Sequence, residues 1–544
     1  MTGYLLSLFV FIPLLAAILL LCLPQHAVSA HRTVGGIGLG LQFVLGFVVF
    51  FLFDSSSGQA YESNFQFVEK TEWIRFELGA LGIWTVDYFL GIDGLSVHLL
   101  WLTGLVMMVA FFSSFSIREN TKAYYGLMLL LSTAIAGCFV SLDLFLFYLF
   151  FELMLLPMYF LIGLWGGANK EYAALKFLIF TIVGSVFILI VMIGLNLSFV
   201  DLEKTAMLDL PGKLVRSFNL PAMSNPDAYE VRSFLDPRTY NQVFGFDARV
   251  LALVFLLIGF GVKLPIVPLH TWLPDAHVEA PTAVSVILAG LLLKTGAYGL
   301  LRIVWPLFPG EVVDIGWFIG LAGAISIVYA SLAALGQYDL KRLIAYTSVA
   351  HMGFFLLGLA SLSGIGVAGS VFQLISHGII SSGLFVVAGV LYDRTGDRMI
   401  DHYSGLAKLM PWFVGMSVAL FFAALGLPGF SGFVAELLVL LGSFEAAWQS
   451  QQLSLWFSVA GLAGIVVGAA CFLLAIRKMF LGKVWLKEKE DWMPKMLDLT
   501  IREKTILVVL LLGTLVLGLQ PNAILQSMNA SLELWIQLFP QPGR

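Results

Sequence analysis

Apolar residues run on in this chain for longer than a soluble core allows. The stretch 3–23 (GYLLSLFVFIPLLAAILLLCL) carries no charge, and 182–197 and 251–262 are equally bare. About 20 such residues in a helix cross the ~30 Å of hydrocarbon in a bilayer. Inside lipid every backbone N–H and C=O must be bonded internally, which leaves only helices or a closed barrel. Runs of this length select helices. Composition agrees: 59% of the 544 residues are hydrophobic and 12% charged, about half the ~25% of soluble domains. Mean hydropathy is +0.93. The chain reads as an all-α polytopic membrane protein. Its first run has no basic leader and no small-residue cleavage site, so a retained helix is expected there.

Several chemistries are disfavoured. Cys22, Cys138 and Cys471 lie far apart in apolar spans without a C-x-x-C pair, which argues against iron–sulfur or zinc ligation. No P-loop occurs and no G-x-G-x-x-G follows a strand pattern, so a nucleotide site is unsupported. A net charge of −4 implies no nucleic-acid partner.

The hydropathy pattern predicts about fourteen spans: 3–23, 35–53, 89–112, 123–140, 143–166, 173–197, 248–277, 281–305, 313–336, 342–362, 367–391, 411–442, 455–478 and 504–520. Lys and Arg orient them. Arg32, Arg118, Lys122, Lys170, Lys176, Lys341, Arg342, Arg394, Arg398 and Lys408 fall on one side, as does the basic connector 479–503. The opposite short loops (141–142, 306–312, 363–366, 443–454) have no Lys or Arg. The basic side is therefore expected to be cytoplasmic, with both termini periplasmic. The long segments 54–88 and 198–247 lie on the outer side, the second as an ordered loop or small hairpin.

Two spans contain helix breakers. The run GFGVKLPIVPLHTWLP holds Pro265 and Pro268, and LGLPGFSGF holds Pro428 and Gly429. Each break is fourth in a block of five spans. Five is odd, so the second block must enter the membrane inverted, the arrangement of many secondary transporters. The expected organisation is N-terminal helices with an outer loop (1–122), a first five-helix repeat (123–305), its inverted counterpart (313–478), and a cytoplasmic connector with a C-terminal helix (479–544).

Glu152, Lys263, Lys294 and Glu436 sit within these apolar spans. A charge near the bilayer centre costs at least ~3 kcal/mol on insertion scales and marks function by default. Lys releases its proton when desolvated and a nearby acid holds it on, which makes Glu152 and Lys263 a switchable pair. His351 and His377 fall at mid-depth with Ser and Thr neighbours, suited to relaying protons. Glu436 suits a proton-release acid. The competing expectations are a structural ion pair, hydrogen-bonded core histidines and a bis-His haem. Asp275, His277 and Glu279, bracketed by Pro274 and Pro281, read as a solvated uptake region.

The stretches 147–167 (FYLFFELMLLPMYFLIGLWGG), 261–302 (GVKLPIVPLHTWLPDAHVEAPTAVSVILAGLLLKTGAYGLLR), 403–411 (YSGLAKLMP) and 425–440 (LGLPGFSGFVAELLVL) resemble the antiporter-like membrane subunits of bacterial respiratory complex I (NADH:quinone oxidoreductase), most narrowly its M branch. The likeness runs over roughly 90–500, and the 198–247 insertion is longer than that family leads one to expect. The resemblance implies a proton-translocating module in the bacterial inner membrane with no redox centre. FMN, iron–sulfur clusters and quinone would belong to partner subunits. Its neighbours would be other complex I membrane subunits, including further antiporter-like chains, with protons, channel water and lipid as its other contacts. The family's functional residues fall on Glu152, Lys263, Lys294, His351, His377 and Glu436. Two other expectations stand beside this: the large subunit of a multi-subunit sodium–proton antiporter, and a scaffold whose buried charges only hold subunits together.

Overall fold

The computed structural model describes residues 3–55, 64–79, 82–208 and 213–540. Among the described residues, ten helices are long and apolar enough to cross a membrane, and the bent pair Ile501–Leu519 and Asn522–Ile536 would make an eleventh. The count of fourteen expected from hydropathy exceeds this. The remaining expected spans correspond to the shorter apolar helices Leu5–Leu21 and Val97–Ser113 and to a helix interrupted in mid-course, Ala248–Lys263 followed by Trp272–Glu279.

Both expected breaks are present. The first half-helix ends at Lys263 and the chain re-forms a helix only at Trp272. Proline removes a backbone donor and clashes with the preceding turn, so the helix stops before Pro265 and Pro268. In the second case Pro411–Ala424 and Ser431–Trp448 flank the segment 425–430. There Gly426 and Gly429 adopt φ of +73° and +99°, a region open to glycine without steric penalty.

Two helices are wrapped entirely by others. The membrane-crossing windows of Thr282–Leu307 and Gly364–Thr395 are wholly buried, whereas Lys170–Ser198 and Leu455–Phe480 show most of their surface. Thr282–Leu307 is not the regular helix expected. Residues Leu288–Leu292 and Leu300–Val304 form wide turns in which, for example, the Leu293 N–H donates to Leu288 O five residues back. Such π turns are frequent at functional sites.

The outer segments fold together. Strands Gln66–Glu77 and Ile83–Ile92 pair antiparallel, and Val215–Ser217 from the 198–247 insertion adds in parallel. Lys204 pins the insertion to this sheet through Thr85 Oγ1 (2.9 Å) and Asp87 Oδ1 (2.6 Å). The expected span 89–112 begins too early, since its first residues belong to the strand Ile83–Ile92 and the helix starts at Val97. A strand buried on both faces reads as a continuous apolar run and hides its period of two. The C-terminal helix Asn522–Ile536, also unexpected, is held by Ser531 Oγ, which accepts from Gly94 N (2.9 Å), and by Trp535 Nε1 donating to Leu301 O (3.0 Å).

Helices Pro309–Leu335 and Leu340–Ala360 touch backbone to backbone at Gly323 and Gly353. A Cβ built on Gly353 would lie 2.9 Å from Gly323 O and from Ile327 N. Neither backbone can yield locally. Gly353→Leu should therefore destabilise the chain by about 1–3 kcal/mol or more, read as a lower midpoint of thermal unfolding in detergent. Gly415→Leu, where a Cβ meets nothing within 4 Å, should leave that midpoint in place.

Candidate functional site

The six predicted residues separate into two clusters. In the first, Lys263 terminates a half-helix and is 2% exposed. Its ammonium donates to Phe151 O at 2.7 Å and lies 3.1 Å from the centroid of the Phe151 ring. The C-terminal end of a helix presents unpaired carbonyls and a partial negative charge, a favourable place for a cation. Glu152 is half-buried and acts on Lys263 electrostatically, yet no Lys263–Glu152 ion pair within 4.0 Å occurs among the described residues. The expected contact pair is thus a through-space pair. One carboxylate oxygen of Glu152, Oε1, is buried without a hydrogen-bond partner, and Ser185 stands beside the carboxyl group.

The second cluster is a succession of neighbouring side chains, not hydrogen-bonded throughout, since His377 Nε2 is buried without a partner. Lys294 is fully buried in Thr282–Leu307, on the α-helical turns that follow the first wide turn. Its Nζ bonds the carbonyl of Ala289, in that wide turn, and lies 2.7 Å from Nδ1 of His377. The His377 ring stands 5.2 Å from the His351 ring, centroid to centroid, at 61°. His351 Nε2 is 3.5 Å from Glu436 Oε1. Beside His351 and Glu436 lies a cavity of about 20 Å³, room for one water, which needs roughly 10–15 Å³. Glu436 folds back against the second break: a Cβ on Gly426 would come within 2.5 Å of its Oε2. Gly426 is required twice over, for its positive φ and for this carboxylate.

Between Lys263 and Lys294 no hydrogen bond or ion pair is found among the described residues. The link is one of packing, because a Cβ on Gly296 would meet Lys263 Cβ at 3.0 Å and Leu264 N at 2.8 Å. Lys263 therefore rides directly on the helix that carries Lys294.

The uptake region differs from the expectation. Asp275 is neutralised by Lys176 and Arg342, each at 2.7 Å. Glu279 accepts from Asn169 N at 2.9 Å and lies 3.7 Å from Arg398. His277, expected to be solvated, is fully buried, with both ring nitrogens unpartnered and its ring stacked on Phe385 at 4.3 Å. The turn between Pro274 and Pro281 folds inward, because Trp272–Glu279 is a half-helix packed against the helices Lys170–Ser198 and Leu340–Ala360. Charges on Lys341 and Lys294 both act on His277. Lys341, read from sequence only as a marker of sidedness, is 1% exposed and donates to Ala280 O at 2.8 Å. Together with Glu279, Asp393 and Arg398 it lines a cavity of about 140 Å³ on the basic side. The sequence signal for His277 was its proximity to a break, and for Lys341 only its place among the basic residues of one side.

Lys294 has no carboxylate within 4.0 Å among the described residues, so its ammonium is poorly compensated. Buried ionic groups replaced by apolar side chains of similar volume often stabilise a fold by ~1–4 kcal/mol. Lys294→Met should accordingly raise the midpoint of thermal unfolding in detergent; a lower midpoint would mark Lys294 as a structural group.

Comparison with known proteins bears on this arrangement. The profile of a family described as NADH:quinone oxidoreductase/Mrp antiporter, transmembrane, matches residues 141–468. NADH-quinone oxidoreductase subunit M of Rickettsia prowazekii (strain Madrid E) is 35% identical over 531 residues, covering 97% of each chain. A chain of the respiratory complex I from Thermus thermophilus with bound NADH superimposes with a TM-score of 0.78 at 28% identity, over 99% of this chain and 100% of that one. A chain of the Mrp complex from Dietzia sp. DQ12-45-1b gives 0.76 over 99% of both. At 20% identity that second likeness is one of fold alone.

Proposed function

We propose, from the premise that the chain belongs to the NADH:quinone oxidoreductase/Mrp antiporter transmembrane family, that it is a proton-translocating membrane subunit of an NADH:quinone oxidoreductase, respiratory complex I. The single observation that carries the proton route is the series of neighbours Lys294–His377–His351–Glu436, joined by a 2.7 Å contact, two adjacent imidazole rings and a 3.5 Å approach. Its members come from four helices, of which the two that carry Lys294 and His377 are wholly buried across the membrane window, and it ends at a water-sized cavity. Protons reach it from the basic side through the cavity at Lys341 and Glu279, by way of His277. They leave from Glu436 toward a cavity of about 460 Å³ on the opposite side, lined by Asp314 and Glu445. Ser443 and Ser458, whose hydroxyls are 2.9 Å apart, lie between. Glu152 and Lys263 form the second station, whose charge state biases Lys294 across the Gly296 contact.

The chain itself does no redox chemistry. FMN, iron–sulfur clusters and quinone belong to partner subunits of the complex, and its neighbours are other membrane subunits, including further antiporter-like chains. It resides in a bacterial inner membrane. The crowding of Lys and Arg on one set of loops supports both termini lying on the periplasmic side. Counting the shorter helices Leu5–Leu21 and Val97–Ser113 as crossings and joining the halves of each broken helix gives fourteen, which we read as containing two inverted repeats over 123–305 and 313–478. The sodium–proton antiporter reading draws on the shared family and the Mrp fold. The 35% relative, named as subunit M over its full length, favours complex I.

Lys294→Met and Glu436→Gln should each slow proton transfer through this chain by at least about tenfold, since a positioned proton-transfer group contributes ~10²–10⁴-fold to its own step; the readout is a lower yield of protons pumped per NADH oxidised in vesicles containing the whole complex. Blue-native electrophoresis should show assembly unchanged. Normal pumping in either variant would refute the relay. Proton movement driven by a sodium gradient without NADH would favour the antiporter reading.

Lys263→Met separates the two stations. It should lower pumping while leaving the Lys294–His377 contact in place, which a structure of the variant complex would check. His277→Leu should slow pumping without altering the response of the remaining activity to external pH on the release side. Unchanged pumping in His277→Leu would remove the inlet from the route.

A further inference from the structure

A groove opens where the basic-side end of helix Leu5–Leu21 meets the start of helix Thr121–Val140. Its volume is about 730 Å³, inside the ~300–1,000 Å³ range of small-molecule sites. Leu14 and Ile18 form one wall, and Leu127 and Leu130 the other. Gly126 opens its floor, where an added Cβ would meet nothing within 4 Å. The body of the groove is therefore apolar and runs along the helices.

Its mouth is of a different character. His26, Arg118 and Lys122 line it. The side chains of His26 and Arg118 are exposed, and neither has an ion pair or hydrogen bond among the described residues. Lys122 Nζ donates to Leu21 O (2.7 Å) and Leu23 O (2.8 Å), which fixes the ammonium at the lip without neutralising it. Glu119 is the one carboxylate in this loop, and it does not line the groove. An apolar slot parallel to the helices with uncompensated cations at the membrane surface calls for an amphiphile with an anionic head. Basic pockets between transmembrane helices on the cytoplasmic side bind such lipids. A covering protein surface would bury these cations without partners, at a cost.

We propose that this groove is a binding site for an anionic phospholipid, with one acyl chain between the two helices and its phosphate on Arg118 and Lys122. The lipid wedges the N-terminal helix against Thr121–Val140 and ties the chain to negatively charged leaflets.

The test uses the whole complex reconstituted in phosphatidylcholine with a trace of phosphatidylglycerol bearing a photoactivatable acyl chain; phosphatidylcholine with the same label is the control. Labelled peptides should cover 14–21 and 123–130. Phosphatidylglycerol should label them about 25-fold more than the control, since each of the two basic residues near the surface supplies about fivefold. Arg118→Gln should reduce that preference by about fivefold, and Arg118→Gln with Lys122→Gln should abolish it. Gly126→Leu, which fills the floor and keeps every charge, should remove label from both segments. Equal labelling by the two lipids would overturn the proposal in favour of ordinary surrounding lipid. Absence of label, with chemical cross-linking of either segment to a neighbouring subunit, would overturn it in favour of a protein-covered groove.

Discussion

The cost of holding an ammonium group in a dry interior governs much of this structure. Lys263 and Lys294 are both buried, and neither has a carboxylate within 4.0 Å among the described residues. Each is solvated instead by a backbone carbonyl, Phe151 O in one case and Ala289 O in the other. Carbonyls become free for such use only where a helix is interrupted. The break at Met154, between helices Leu144–Leu153 and Leu155–Trp165, and the wide turn Leu288–Leu292 supply those interruptions. Irregular backbone at membrane depth is tolerated only inside protein or beside water. This is why both features are enclosed by other helices. The close glycine contacts at Gly290, Gly296 and Gly426 follow from that enclosure, since each would set a Cβ within about 3 Å of a neighbour.

Compensation by carbonyl rather than by carboxylate also keeps the lysines responsive. A tight Lys–Glu pair would lock both charges, because breaking a buried pair costs ~3–5 kcal/mol. A carbonyl favours the charged amine less strongly, so a change of charge nearby is enough to move the proton. The through-space relation of Glu152 to Lys263 has this property, and so does the contact of Lys294 with a histidine that can itself take the proton.

The positions of the buried charged groups were largely legible in the sequence because charge inside an apolar run has few explanations. Glu152, Lys263, Lys294 and Glu436 were found that way, and the breaks at Pro265 and Gly429 by composition alone. Three things were not legible. The strand Ile83–Ile92 is buried on both faces and so mimics the start of a helix. The wide turns in Thr282–Leu307 have no composition signal. His277 sits between two prolines and looked like a surface turn, whereas the half-helix carrying it is folded inward against Phe385. Burial of that kind is decided by the packing of helices distant in sequence.

In the proposed relay, the order of groups along the second cluster gives it a direction. It begins with a base that is cationic when loaded and ends with an acid that is anionic when empty. Passing one proton from Lys294 through His377 and His351 to Glu436 removes two buried charges at once, and desolvation favours that step. The return is the uphill half: recharging Lys294 puts a cation back into a site with no carboxylate beside it. Something must supply the free energy for that recharging. Lys263 is placed to do so, since it packs on the same helix at Gly296 and its own charge opposes that of Lys294. When Lys263 is neutral the cost of protonating Lys294 from the basic side falls; when it is charged the proton on Lys294 is driven toward Glu436. The physical separation of the two clusters is then a requirement of the mechanism, because a direct hydrogen-bonded link would let the proton equilibrate between the lysines and dissipate the bias.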